Sequence, residues 1–275
     1  MHKIILTVAP VAAGAKEEIK NPLRPEEIAQ EVIACAEEGA SMVHLHVRDA
    51  EGKLTKDLSV FTRTLDLIEE RTDIIIQGST GGLSELSPEE RCVVLNDPRV
   101  EVASLNMGSV NFDEDVYINT LPEIRYWAGQ MRTRKVLPEM EIFEAGMVHN
   151  AFLLAEEGVL SPPFVFAFSL GFRGALPADH YSLFFLQGLV PQGSLWGLIH
   201  QGMRDMSLLA AAVGMGAAFI RVGFEDSIYL APGRVANSNA ELVAQAVRMI
   251  QAMGLEVATP AEARKILGLG SRCEL

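Results

Sequence analysis

Short runs of β-branched and apolar residues alternate along this chain with longer segments whose apolar positions recur every three or four residues. The first pattern marks buried strands and the second amphipathic helices. Residues 3–8 read as strand one. From Pro25 onward, Ile28, Val32 and Cys35 fall on one side of a helix, with proline at a favoured first position and Gly39 beyond the end. Strand two runs through residues 41–47. Helix two, about 58–71, places Phe61, Leu65 and Ile68 together, and strand three covers 73–77. Ser87-Pro88-Glu89-Glu90 supplies a capping box for a short third helix. Strand four (101–105), a helix over roughly 115–131, strand five (136–143), a helix over 145–157 and strand six (164–168) follow. A glycine- and proline-bearing loop (171–179) leads to helix six. Strand seven (194–199), a helix over 203–213 and strand eight (218–222) complete the alternation. Ser238 with Glu241, and Thr259 with Glu262, cap the last two helices.

Eight apolar strands alternating with eight helices predict a (β/α)8 TIM barrel, a single domain over residues 1–275. An open doubly wound sheet is the other arrangement this order allows. The first strand–helix loop lacks G-x-G-x-x-G, however, and the turn STGG is no nucleotide fingerprint. With 275 residues, about half of them apolar, the chain is large enough for one barrel core. The barrel also places His44, His46, Ser79, Asn106, Glu139, Glu141, Arg221, Glu225 and Asp226 at or just beyond strand ends, the rim where barrel chemistry occurs.

A formal net charge of -13 argues against nucleic acid or an anionic membrane surface as partner. The three cysteines, Cys35, Cys92 and Cys273, are far apart and form no C-x-x-C. Cys35 reads as a reduced core residue. Met1 runs almost directly into strand one without a signal-peptide pattern, and the run 206–220 is too short and glycine-broken to span a bilayer. The expectation is a cytoplasmic protein.

The stretch VHLHVRD (43–49) carries the first candidate chemistry. Side chains two apart on a strand share a face, so His44 and His46 present both imidazoles to one side. The apolar run RVGFED (221–226) ends in two carboxylates. Two histidines and one carboxylate with an open position form a common catalytic zinc arrangement. Hydrogen-bonded core histidines are the plainer reading of an isolated H-x-H. Glu139 and Glu141 share one strand face and point inward together. His149, His180 and His200 sit in helical or loop contexts and are not expected to be ligands.

VHLHVRD, QGSTGG, ASLNMGSVNF, LPEMEIFEAGM, RVGFEDSIY and SNAELV occur in one order across almost the whole chain. In these stretches the sequence resembles the β-keto acid cleavage enzyme family. The resemblance implies a zinc-dependent barrel with His44, His46 and Glu225 as metal ligands. It further implies condensation of a β-keto acid with acetyl-CoA, giving acetoacetate and a new acyl-CoA. Ser79, Gly82 and Asn106 correspond to substrate-contacting positions, and Arg221, Asp226 and Glu141 to catalytic ones. A homo-oligomer, a tetramer by the same resemblance, is also implied.

The residue chemistry suits that reaction. Asp226 reads as a general base, and Arg221 as the group that steadies developing negative charge or holds Asp226 in place. Two other function classes fit the barrel: a metal-dependent hydrolase of the amidohydrolase type, and a non-catalytic metal- or ligand-binding barrel. Family members acting on 3-keto-5-aminohexanoate carry an acidic residue in the first loop that reads the substrate's amino group. Gly14 stands at that position here, so a keto acid without a free amine is the expected substrate. Lys16, Glu17 and Glu18 belong to the same loop.

Overall fold

The structure is a computed structural model that describes residues 3–13, 18–83 and 85–270. Gly14, Lys16, Glu17 and Cys273 lie outside the described residues. Eight parallel strands form the centre: β1 (Lys3–Val8), β2 (Met42–Leu45), β3 (Ile75–Gly78), β4 (Val100–Asn106), β5 (Leu137–Ile142), β6 (Val165–Leu170), β7 (Leu195–His200) and β8 (Phe219–Val222). Each pairs with the next, and β8 also pairs with β1, with Ile5 opposite Phe219 and Thr7 opposite Arg221. The sheet is therefore closed and has no free barrel edge.

The helices α1 (Pro25–Glu37), α2 (Ser59–Glu69), α3 (Pro88–Arg91), α4 (Leu121–Arg134), α5 (Ala145–Glu156), α6 (His180–Gln187), α7 (Ser207–Gly214) and α8 (Asn239–Ala252) each follow the strand of the same number. A last helix, α9 (Pro260–Leu267), comes after a two-residue strand, Glu256–Val257, that pairs beside Lys3 and Ile4. Among the described residues, no helix is long and apolar enough to cross a membrane.

Strand alternation divides the core in two. Ile4, Leu6, Val43, Leu45, Ile76, Ala103, Leu105, Met140, Ile142, Phe166, Phe168, Leu198, Ile220 and Val222 face outward and pack with the helices in the larger cluster. The positions between them face inward. Ile5, Met42, Ile75, Val102, Val165, Ala167, Ile199 and Phe219 fill the barrel, and Ala258, Ala263 and Leu267 at α9 join them to close that end. Gly197 makes room for Phe219: a Cβ there would lie 2.4 Å from both the Phe219 ring and its carbonyl oxygen. Burying a ring of this size contributes about 1.5–3 kcal/mol.

One step farther along seven of the eight strands the inward residues become polar. Thr7, His44, Gln77, Ser104, Glu139, Ser169 and Arg221 are all buried. An apolar plug thus supports a polar layer at the C-terminal end of the barrel, and this layer is what the strands deliver to the site.

The segment expected as a helix over 115–131 differs. Val110–Phe112 and Asp115–Tyr117 form an antiparallel hairpin instead, and α4 begins only at Leu121. Val116 and Tyr117 favour extended backbone. Asp113 takes the left-handed conformation at the turn, with φ of 60°. The helix start lies at Thr120, whose backbone and side chain engage Glu123, with Pro122 in the first turn. Helix α7 likewise begins at Ser207, later than residue 203.

Candidate active site

His44 ends the inward face of β2, and His46 continues it into the loop. Their rings meet edge to face with centroids 5.1 Å apart. Glu225 comes from the turn after β8, where the chain folds back on β1: Gly223 has φ of 137°, and a Cβ there would be 2.3 Å from Ala9 O. Only glycine allows that approach. The Glu225 amide donates to the same Ala9 carbonyl at 3.1 Å. Buried Asn239, at the start of α8, accepts from Phe224 N at 2.8 Å and donates to Pro10 O at 3.1 Å, tying the β8 and β1 loops together.

These restraints place Glu225 Oε1 3.6 Å from His44 Nε2 and 3.5 Å from His46 Nε2. One ligand atom from each of the three residues lies within 4.8 Å of the others. Ligand bonds of about 2.0–2.2 Å in tetrahedral geometry separate donor atoms by roughly 3.3–3.6 Å. The site therefore has the donors for a divalent cation, and both separations from Glu225 to the histidines fall in that range. Among the described residues this is the one His/Cys/Asp/Glu group with that geometry. His149, His180 and His200 stand apart from it.

The electrostatics suit a cation here. Burial, reinforced by the nearby Arg221 charge, pushes His44 down to about 3, so its imidazole is neutral. Burial opposes ionisation of Glu225, but His46, His44 and Arg221 overcome it and hold the carboxyl well below its ordinary range. His44 Nδ1 meets Gln77 Oε1 at 2.8 Å, and His46 Nδ1 is buried without a hydrogen-bond partner among the described residues.

Arg221 stands beside this cluster. Its Nε donates to Asp226 Oδ2 at 2.9 Å and its Nη2 to Asp226 Oδ1 at 2.6 Å. Nη2 also reaches Glu225 Oε1 at 3.3 Å, and Nη1 lies 4.0 Å from Glu141 Oε1. Nη1 makes no hydrogen bond among the described residues. Burial opposes the guanidinium charge, and the three carboxylates more than restore it. Burial pushes both Glu139 and Glu141 up to about 7.

A cavity of about 720 Å³ opens over these groups, lined by His44, His46, Glu225, Arg221 and Glu141. Ser79 and Gly82, in the loop after β3, also line it. Ser79 Oγ accepts from Gly81 N at 3.2 Å, and Tyr117 Oη accepts from Gly82 N at 2.9 Å. Asn106 is fully buried beside Gly81, and neither end of its amide has a partner among the described residues. Asn106 and Asp226 are not among the residues lining the cavity; Asp226 lies behind Arg221. The opposite sides are Leu54, Leu83, Leu86, Phe112, Phe143 and Phe172, with Arg48 and Lys53 from the loop after β2.

Several of these residues had no counterpart in the sequence reading. Gln77 was detectable as the lone polar side chain in the strand IIIQG. Tyr117, Phe112 and Phe172 come from the unexpected hairpin and from a loop, where neither periodicity nor spacing marks a position.

The family model described as "BKACE: beta-keto acid cleavage enzyme" matches residues 3–269. A "3-keto-5-aminohexanoate cleavage enzyme" of Fusobacterium nucleatum subsp. nucleatum is 38% identical over 274 residues, covering 98% of this chain and 99% of the relative. A "3,5-dioxohexanoate:acetyl-CoA acetone transferase" of Paraburkholderia graminis is 30% identical over 299 residues, covering 98% and 96% of the two chains. Among solved structures, a ternary complex of ObcA with C4-CoA adduct and oxalate superposes with a TM-score of 0.75. It is 23% identical and covers 90% of this chain and 67% of that one. That likeness establishes the barrel fold.

Proposed function

This chain belongs to the beta-keto acid cleavage enzymes, and from that premise we propose that it exchanges acyl groups between a β-keto acid and acetyl-CoA. The acetyl group replaces the keto acid's own acyl group to give acetoacetate, and the displaced acyl group takes the coenzyme A thiol as a new acyl-CoA. The observation that carries the reading is the His44–His46–Glu225 cluster in a cavity that also exposes Arg221 and Glu141. The names of the relatives supply acetyl-CoA and the keto acid as substrates.

The donor set of two imidazoles and one carboxylate fits zinc, which His44, His46 and Glu225 would hold. When bound, zinc supplies Lewis acidity and orientation for an anionic keto acid. Ser79, Gly82 and Asn106 are proposed to bind the substrate carboxylate and keto group. Ser79 and Gly82 line the cavity, whereas Asn106 sits buried beside Gly81 with the donor and the acceptor of its amide both unpartnered among the described residues. Arg221 offers Nη1 to negative charge developing on the substrate.

Asp226 is proposed as the proton acceptor, acting as one unit with Arg221. Substrate that draws Arg221 toward the cavity frees one Asp226 oxygen to take a proton. Glu141 supports a second reading, because it lines the cavity and its raised value of about 7 suits proton transfer near neutrality. The acetyl-CoA phosphates need basic contacts, and Arg48 and Lys53 at the cavity are the cations nearest to that task. Assembly as a homo-oligomer, a tetramer, in the cytoplasm completes the proposal.

Metal analysis tests the site. The purified chain is expected to carry about one zinc, and the double variant His44→Ala, His46→Ala to lose it, since one remaining carboxylate binds weakly. Full zinc occupancy in that variant would refute the ligand assignment.

A further inference from the structure

Gln77 is not among the residues lining the cavity. It is fully buried on β3, directly opposite His44 on β2, with its Oε1 2.8 Å from His44 Nδ1. An amide oxygen only accepts, so Nδ1 carries the hydrogen and Nε2 is left with its lone pair. Nε2 is the His44 atom closest to Glu225 in the ligand cluster. With the amide turned over, an N–H would face Nδ1 and the imidazole hydrogen would sit on Nε2, where a metal bond belongs.

The far end of the amide selects between these states. Among the described residues, Gln77 Nε2 is buried without a hydrogen-bond partner, and so is Glu139 Oε2. The Glu139 carboxyl is close enough for the Gln77 amide to ease its ionisation. It stands on β5, whose Glu139 lies opposite Ser104 on β4, so it reaches Gln77 through the barrel interior. A buried donor and a buried acceptor left facing one another favour the amide orientation that pairs them. That orientation is the one that turns Oε1 to His44.

We propose that Gln77, itself oriented by Glu139, is a positioning residue that fixes His44 as the Nδ1–H tautomer and so makes its Nε2 a metal ligand. The proposal rests on the metal-site reading above. Such supporting hydrogen bonds typically change metal affinity by about 10–100-fold.

The test uses 15N-histidine-labelled, metal-free protein together with zinc affinity from competition with a chromophoric chelator. Wild type is expected to show His44 protonated at Nδ1. Gln77→Met, which keeps the volume and removes the acceptor, is expected to populate the Nε2–H form and weaken zinc binding about 10–100-fold. A Gln77→Met protein with unchanged tautomer and zinc affinity would overturn the proposal. If that variant does not fold, Glu139 carries the test. Glu139→Leu is expected to admit the second tautomer, and Glu139→Gln, which keeps an acceptor oxygen, to preserve the first. Identical His44 signals in the two Glu139 variants would overturn the proposal equally. A wild-type protein that takes up no zinc would refute the metal reading itself, independently of the tautomer.

Discussion

Arg221 grips both oxygens of Asp226, at 2.9 and 2.6 Å, while its remaining terminal nitrogen has no hydrogen bond among the described residues. Glu225 and Asp226 are neighbours in sequence, yet they face different tasks. The turn after β8 sends Glu225 toward the two histidines and Asp226 back against the guanidinium. A bidentate pair of this kind fixes the aim of the arginine as well as its charge.

Substitution of the two adjacent carboxylates is therefore expected to separate metal binding from chemistry. Asp226→Asn should keep zinc and lose turnover by roughly two to four orders of magnitude, the usual scale for a general base. Glu225→Gln should lower the zinc content itself. The measurement is zinc stoichiometry alongside kcat. Near-normal kcat in Asp226→Asn at saturating acetyl-CoA would transfer the base role to Glu141. In that case wild-type kcat/KM rises with pH through about 7, as Glu141 ionises, and Glu141→Gln abolishes that limb.

Glu139 gives a pH dependence of stability with a definite sign. Burial raises its pKa from 4.5 to about 7, so the folded chain keeps a proton that the unfolded chain releases. Stability falls as pH rises from the unfolded value through the folded one, and the loss persists above it. At about 1.4 kcal/mol per unit, the full effect is on the order of 3 kcal/mol. Glu139→Gln removes the ionisation. Thermal melts of metal-free protein should place the variant above wild type by several degrees at pH 8, with a smaller difference at pH 5. A gap that widens on acidification would contradict the assigned sign.

How much of this was legible in the sequence follows from what each element depends on. The barrel strands were readable because each carries its own apolar run, and the capping boxes at Ser87 and Thr259 appear where the spacing put them. Of the candidate ligand cluster, His44 and His46 were readable from their shared strand face, whereas the choice of Glu225 over its neighbour Asp226 came from the family resemblance. The hairpin at Val110–Tyr117 was not readable. Its residues pair with each other and cover a cavity whose walls come from distant loops, so its pattern resembles no single period. Asp226 shows the same limit: the sequence marked it as acidic and well placed, and only the folded turn puts it behind Arg221.

Specificity follows from the walls of the cavity. Leu54, Leu83, Leu86, Phe112, Phe143 and Phe172 offer apolar surface to a keto acid's distal group. Gly14 lies outside the described residues, and the sequence places no carboxylate at that position. We expect 3-ketohexanoate to be preferred over 3-keto-5-aminohexanoate. An ammonium left unpaired costs on the order of 1–3 kcal/mol, or about one to two decades in kcat/KM. The two acids compete directly in one assay, and a clear preference for the amine would show that Glu17, Glu18 or Glu85 reaches it.

The most direct measurement is product formation by the zinc-loaded protein given a β-keto acid with and without acetyl-CoA. Acetoacetate and a new acyl-CoA are expected in equal amounts, with neither formed when acetyl-CoA is omitted. Keto acid consumed at the same rate without acetyl-CoA, or a fully zinc-loaded protein that forms no acyl-CoA from any acid in a broad panel, would contradict the proposed function.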